Sequence, residues 1–145
     1  MTTFPSNSLK NMKKIDSYLN QQDLLDHAKN PLNYGVLEKC DFTSGEYNPS
    51  CGDSVSIYGI VSNNVLKQVR FEGKGCVLSL AMASKLTEYV TNLQIEEILQ
   101  LDEQIVEKLL RMHLGPNRMQ CGMLSVIALQ KGLESYKNYK NNLLQ

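Results

Sequence analysis

Apolar residues early in the chain recur at helical spacing. Leu19, Leu24, Leu25 and Ala28 predict an amphipathic helix over residues 16–28. Asn30-Pro31 ends it, because a residue before proline avoids the helical region. Residues 35–52 mix Gly, Ser, Asn, Asp and Pro and read as loop, with one short strand near Phe42. The period then changes to two. Val55, Ile57 and Val61 alternate with Ser54, Ser56 and Tyr58, the pattern of a half-buried strand. Ser62-Asn63-Asn64 is a turn signal, and residues 65–71 predict a second strand with Val69 and Phe71 inward, closing an antiparallel hairpin. After Gly73-Lys74-Gly75 the helical period returns over residues 76–90, through Val77, Leu80, Ala81, Leu86 and Val90. A further helix is expected over 102–112, with Asp102 as its N-cap and Ile105, Val106, Leu109 and Leu110 apolar. Gly115-Pro116-Asn117 breaks the pattern, and a last helix is expected over 121–139, buried along MLSVIAL and solvated in its lysine-rich second half. Strands segregated from helices predict an α+β fold, a small antiparallel sheet with helices packed on one face. Residues 1–15 read as a disordered N-terminal arm and 16–145 as a single domain.

Composition narrows the function classes. The 42% hydrophobic content suffices for an ordinary core, and the 15 basic and 15 acidic residues balance. That balance argues against a nucleic-acid partner bound through phosphate neutralisation. No apolar run reaches the roughly 18 residues a membrane span needs, so no membrane partner is expected. The opening MTTFPSNSLKNMKK carries three lysines, no acid and no apolar h-region, unlike a secretory signal. It also lacks arginine, which makes an organelle matrix a weaker expectation than a bacterial-type cytoplasm. Four cysteines in that setting point to metal ligands or reactive thiols rather than disulfides.

Three of those cysteines share a setting. Cys51 lies in the loop NPSCGD, Cys76 follows Gly73-Lys74-Gly75 and opens a helix, and Cys121 follows GPNRMQ and is expected to open another. A thiol at a helix N-terminus meets unpaired N–H groups and the positive end of the dipole, which favour the thiolate. Asp53, two residues after Cys51, adds a carboxylate from the same loop. Three thiolates and a carboxylate suit zinc or an iron–sulfur cluster. The single hard oxygen ligand implies a looser hold than four thiolates give. The competing expectation is that Cys76 and Cys121 are buried core thiols, the commonest fate of free cysteine. Cys40 has neither a glycine setting nor a helix start and reads as outside the site, as do His27, on a helix surface, and His113, near a helix end.

The blocks DHAKNPLNYG, NPSCGD, GKGCVLSLAMASKLTEYV and RMQCGMLSVIALQKGLESY occur in the order seen in IscU/NifU-type iron–sulfur cluster assembly scaffolds, which the chain resembles over about residues 18–140. The resemblance implies a transient [2Fe–2S] cluster on Cys51, Cys76 and Cys121 with Asp53 as the acidic ligand. It also implies sulfur received as persulfide from a cysteine desulfurase and transfer of the cluster to acceptor proteins. One cysteine would take the persulfide, and the setting of Cys121 beside Arg118 favours it. Lys74 and Arg118 are the cations nearest in sequence to offset the charge of such a site. Two departures stand out. Gln120 occupies the position where IscU proper has His, so a His-for-Asp ligand exchange is not expected. LGPNR stands where IscU has a Pro-Pro-Val-Lys stretch recognised by an Hsp70-type chaperone, which argues against that partner. Arg118 and Gln120 resemble the SufU branch, although the insertion of that branch between its second and third cysteine blocks is missing. The alternative reading is therefore a zinc-dependent sulfurtransferase, with Zn2+ in the same site. A third is a partner protein with inert cysteines.

Overall fold

A computed structural model describes residues 6–144. Its elements are α1 (Ser6–Lys29), β1 (Phe42–Tyr47), β2 (Ser54–Ser62), β3 (Val65–Lys74), α2 (Val77–Val90), α3 (Ile95–Leu99), α4 (Glu103–Leu110) and α5 (Pro116–Leu143). The three strands form an antiparallel meander in the order β1-β2-β3. The alternation seen in the sequence decides which face is covered. Val55, Ile57, Val61, Val69 and Phe71 are buried, whereas Lys67, Gln68 and Arg70 face outward. Helices α5 and α2 pack on the buried face, so the fold is α+β with helices on one side.

Tight pairing comes from specific residues. Ser62 pairs with Val65, leaving Asn63 and Asn64 as a two-residue hairpin turn. Both have left-handed φ, 51° and 64°, which asparagine tolerates and such a turn requires. The outer edge of β3 is partly covered. Gly35 N–H donates to Phe71 O at 2.8 Å and Phe71 N–H to Asn33 O at 3.0 Å, so residues 33–35 run along it. Asp102 caps α4 as expected, its carboxylate accepting from Gln104 N–H at 2.9 Å.

Three elements differ from expectation. Helix α1 starts at Ser6, not near residue 16, so the stretch expected as an arm is helical from Ser6 onward; residues 1–5 lie outside the described residues. Leu9, Met12 and Ile15 are all more than half exposed, so this extension gains nothing from the core that the apolar pattern could reveal; Leu19 and Leu25 of the expected apolar face are exposed as well. Helix α3 was not expected. Only five residues long, it buries Ile95 and Ile98 completely, and Gln130 of α5 donates to its terminal carbonyls at Ile98 O (3.0 Å) and to Leu101 O (2.8 Å). Helix α5 begins at Pro116 rather than Cys121. Proline breaks a helix interior but suits its first position, where the missing N–H has no partner to lose. Among the described residues no helix is long and apolar enough to cross a membrane.

His27 is half-buried rather than a surface residue. Its Nδ1 lies 2.8 Å from Ser84 Oγ, which also accepts from Leu32 N–H at 2.8 Å, so one fully buried hydroxyl ties α1 and the following turn to α2. Asp23 and Lys85 add an ion pair across the same seam. Ser84→Ala removes the shared partner of the part-buried Leu32 amide and His27 and should destabilise the protein by about 1 kcal/mol. Ser135→Ala, on the exposed side of α5, should cost less than about 0.5 kcal/mol. Urea unfolding of both variants checks this.

Candidate metal centre

The connection between β1 and β2 is a six-residue loop, 48–53, built on Asn48. Asn48 N–H donates to Asp53 O and Gly52 N–H to Asn48 O, each at 2.8 Å, while the Asn48 side chain accepts from Ser50 N–H at 3.0 Å. Gly52 has φ +79°, a left-handed conformation that glycine adopts without strain. It turns the chain between Cys51 and Asp53, so that the thiol is exposed while the carboxylate, 5% exposed, points inward.

Asp53 lands at the start of α2. Its Oδ2 accepts from the Ser79 hydroxyl at 2.5 Å, and Ser79 is the third residue of that helix. No side chain of the local sequence caps α2, whose N-cap residue is Cys76. A carboxylate from a distant loop thus lies where a helix attracts negative charge. Gly75 makes room for it: a Cβ there would stand 2.8 Å from Asp53 Cγ and 3.1 Å from either oxygen. Burial works to raise the Asp53 pKa. The Ser79 hydroxyl, the thiol and amide of Cys76 and the Cys51 thiol outweigh it, and the carboxyl is held below its ordinary range.

Cys121 approaches from the third segment. Its Sγ lies 3.9 Å from Cys51 Sγ. It occupies the sixth position of α5, more than a turn past the N-terminus, so the helix-start support expected for its thiolate is absent. Burial, the hydrogen bond with Cys51 and the negative charge of Cys76, Cys51 and Asp53 push its thiol up to about 12.

Cys51, Asp53 and Cys121 each offer a ligand atom within 4.8 Å of the other two. Cys76 falls outside that triple; its Sγ lies 3.5 Å from Ser79 Oγ, on the near side of the same cluster. A tetrahedral zinc site with Zn–S near 2.3 Å has a sulfur–sulfur edge of about 3.8 Å. The Cys51–Cys121 spacing fits that edge, and the donor set of thiolates and carboxylate suits both zinc and iron. Cys40 lies elsewhere, beside Asp41 just before β1, at the end of the strand away from the loop. His113 is 91% exposed and pairs with Glu107 at 2.6 Å. Lys74 and Arg118 are exposed at the end of β3 and in the first turn of α5, without an ion pair among the described residues. Gln120 is exposed and faces a groove of about 670 Å³ that also borders Asn48 and Pro49, next to the cysteines. Ser79 escaped the sequence reading. Its one signal is its place three residues after the N-cap, where a side chain commonly reaches back to the helix start.

The lowered Asp53 pKa carries a sign. Its contribution to folding is complete above the unfolded carboxylate value, near 3.9, and is lost as pH falls through the lower folded value. In metal-free protein, Asp53→Ala should cost about 1 kcal/mol at pH 7, as loss of a helix cap does. The difference from wild type should shrink as pH falls from the unfolded carboxylate value through the lower folded one. Urea titrations at several pH values measure it.

Comparison with known proteins identifies the family. Residues 19–142 match the family described as the NifU-like N terminal domain. An iron–sulfur cluster assembly scaffold protein IscU 1 of Archaeoglobus fulgidus is 33% identical over 113 residues, 78% of this chain and 73% of that protein. The zinc-dependent sulfurtransferase SufU of Bacillus subtilis is 32% identical over 132 residues, 79% of this chain and 89% of its own length. In fold, a NifU-like N-terminal protein of Brucella abortus superposes with a TM-score of 0.66 at 18% identity, covering 80% of this chain and 92% of that one. The chain belongs to the NifU-like N-terminal domain family.

Proposed function

We propose that this protein is an iron–sulfur cluster assembly scaffold, which builds a [2Fe–2S] cluster as cargo and passes it to acceptor proteins. The observation that carries the reading is the convergence of Cys51 and Cys121, 3.9 Å apart, beside the buried Asp53 carboxylate. The ligands are Cys51, Asp53, Cys76 and Cys121. Cys76 terminates the glycine turn before α2 and has an exposed thiol that can swing toward the other three. The relatives named for cluster assembly support this reading.

Sulfur arrives as persulfide from a cysteine desulfurase. A thiolate of this chain attacks the outer sulfur and displaces the desulfurase thiolate. Two electrons from an external donor then convert each carried sulfur to sulfide. Cys121 is the acceptor by its place in the family's cysteine blocks and near Arg118; a cation held beside it by Cys51 and Asp53 would favour its thiolate. Asp53 sets the lifetime of the product: its carboxylate can pass from iron to the donors at the head of α2 and so assists ligand exchange, a route that a side chain without oxygen does not offer.

The second reading is zinc-dependent sulfur transfer, favoured by the tetrahedral fit of the Cys51–Cys121 spacing and by the resemblance to SufU. Zinc bound by the same four residues would keep their sulfurs deprotonated.

Anaerobic incubation with iron, cysteine and a cysteine desulfurase decides between them. A scaffold gains sulfide-to-iron charge-transfer absorption, with iron and labile sulfide near equality. Retained zinc, no cluster and sulfur on a cysteine indicate the transferase. Cys51→Ser, Cys76→Ser and Cys121→Ser should each abolish stable cluster formation, while Cys40→Ser leaves it intact. Asp53→Ala should lengthen the lifetime of the cluster against a chelator or acceptor. Loss at the wild-type rate contradicts the role given to the carboxylate.

A further inference from the structure

Three ligand-bearing segments meet at one hydroxyl. Ser79 Oγ lies 2.5 Å from Asp53 Oδ2 on the β1–β2 loop, 3.5 Å from Cys76 Sγ at the head of α2 and 3.4 Å from the Cys121 carbonyl oxygen on α5. The side chain is 8% exposed, so water does not compete freely for these contacts. A hydroxyl has one proton to give. The shortest contact, to the charged acceptor, takes it. Its lone pairs then remain for the Cys76 thiol, which can donate to Ser79 while it carries a proton.

Gly75 completes the restraint. Both Asp53 oxygens stand 3.1 Å from the position of a Cβ on Gly75, so the carboxylate lies flat against that residue. A plane set by Gly75 and one oxygen pinned by Ser79 leave the carboxylate little freedom to rotate. The other oxygen, Oδ1, is then directed by default.

We propose that Ser79 is a positioning residue of the metal centre: it holds Asp53 Oδ2 and so presents Oδ1 to the ion shared with Cys51 and Cys121. The assignment rests on the metal-centre reading above. It differs from a role in folding alone, because its effect must pass through Asp53.

Binding of Co2+ to anaerobic, metal-free protein tests it, followed by thiolate-to-cobalt charge transfer and d–d absorption in competition with a chelator. Groups that orient metal ligands are commonly worth about 10- to 100-fold in affinity. Ser79→Ala should weaken Co2+ binding by about that factor, and Ser79→Thr, which keeps the hydroxyl, should restore most of it. In an Asp53→Ala background, Ser79→Ala should change the affinity less than about twofold, since the group it orients is gone. Wild-type affinity in Ser79→Ala, or an equal loss with and without Asp53, overturns the assignment while leaving the metal centre standing. Failure of the wild-type protein to bind Co2+ at all overturns the metal centre and this role together.

Discussion

Burying a carboxylate costs several kcal/mol unless donors surround it, and the donors that satisfy Asp53 come from the head of α2. That requirement ties the β1–β2 loop to the helix. The Ser79 hydroxyl and the Cys76 amide and thiol reach the carboxylate from one side, and Cys51 from its own loop. Gly75 has no side chain because the carboxylate occupies the space. Once the loop is docked, Cys51 is carried to within 3.9 Å of Cys121 on α5. The placement of the thiols thus follows from the placement of a buried charge.

The same carboxylate therefore serves two masters in the proposed cycle. In the cation-free protein it stabilises a helix end. With cargo bound it becomes a ligand, sharing its charge between the helix and the ion. An oxygen ligand already engaged with a hydroxyl binds a soft metal less firmly than thiolate, which fits a site meant to release what it holds. Cys51 and Cys76 are exposed, so a cluster held as proposed would be open to a sulfur donor and to an acceptor.

Much of this was legible in the sequence. The alternation through Val55, Ile57 and Val61 located the hairpin and its buried face because one side of the sheet is covered and the other is not. Asp102 announced α4 by a local interaction that needs no tertiary partner. What escaped was long-range or context-dependent. Ser79 meets Asp53 across 26 positions, and a serine early in a helix has no distinguishing pattern. His27 looked like a surface residue because its partner Ser84 lies 57 positions away. Pro116 was read as a breaker when it is the first residue of α5, which moved Cys121 away from the helix end. The short α3 falls below the length at which periodicity is visible, and the first turns of α1 lack the core contacts that make an apolar stripe readable.

Zinc K-edge X-ray absorption of the zinc-loaded protein tests the central claim most directly. The account predicts three sulfur ligands near 2.3 Å and one oxygen near 2.0 Å, with a fourth sulfur in place of that oxygen in Asp53→Cys. A first shell with fewer than three sulfurs, or an oxygen that persists in Asp53→Cys with no fourth sulfur, would contradict it.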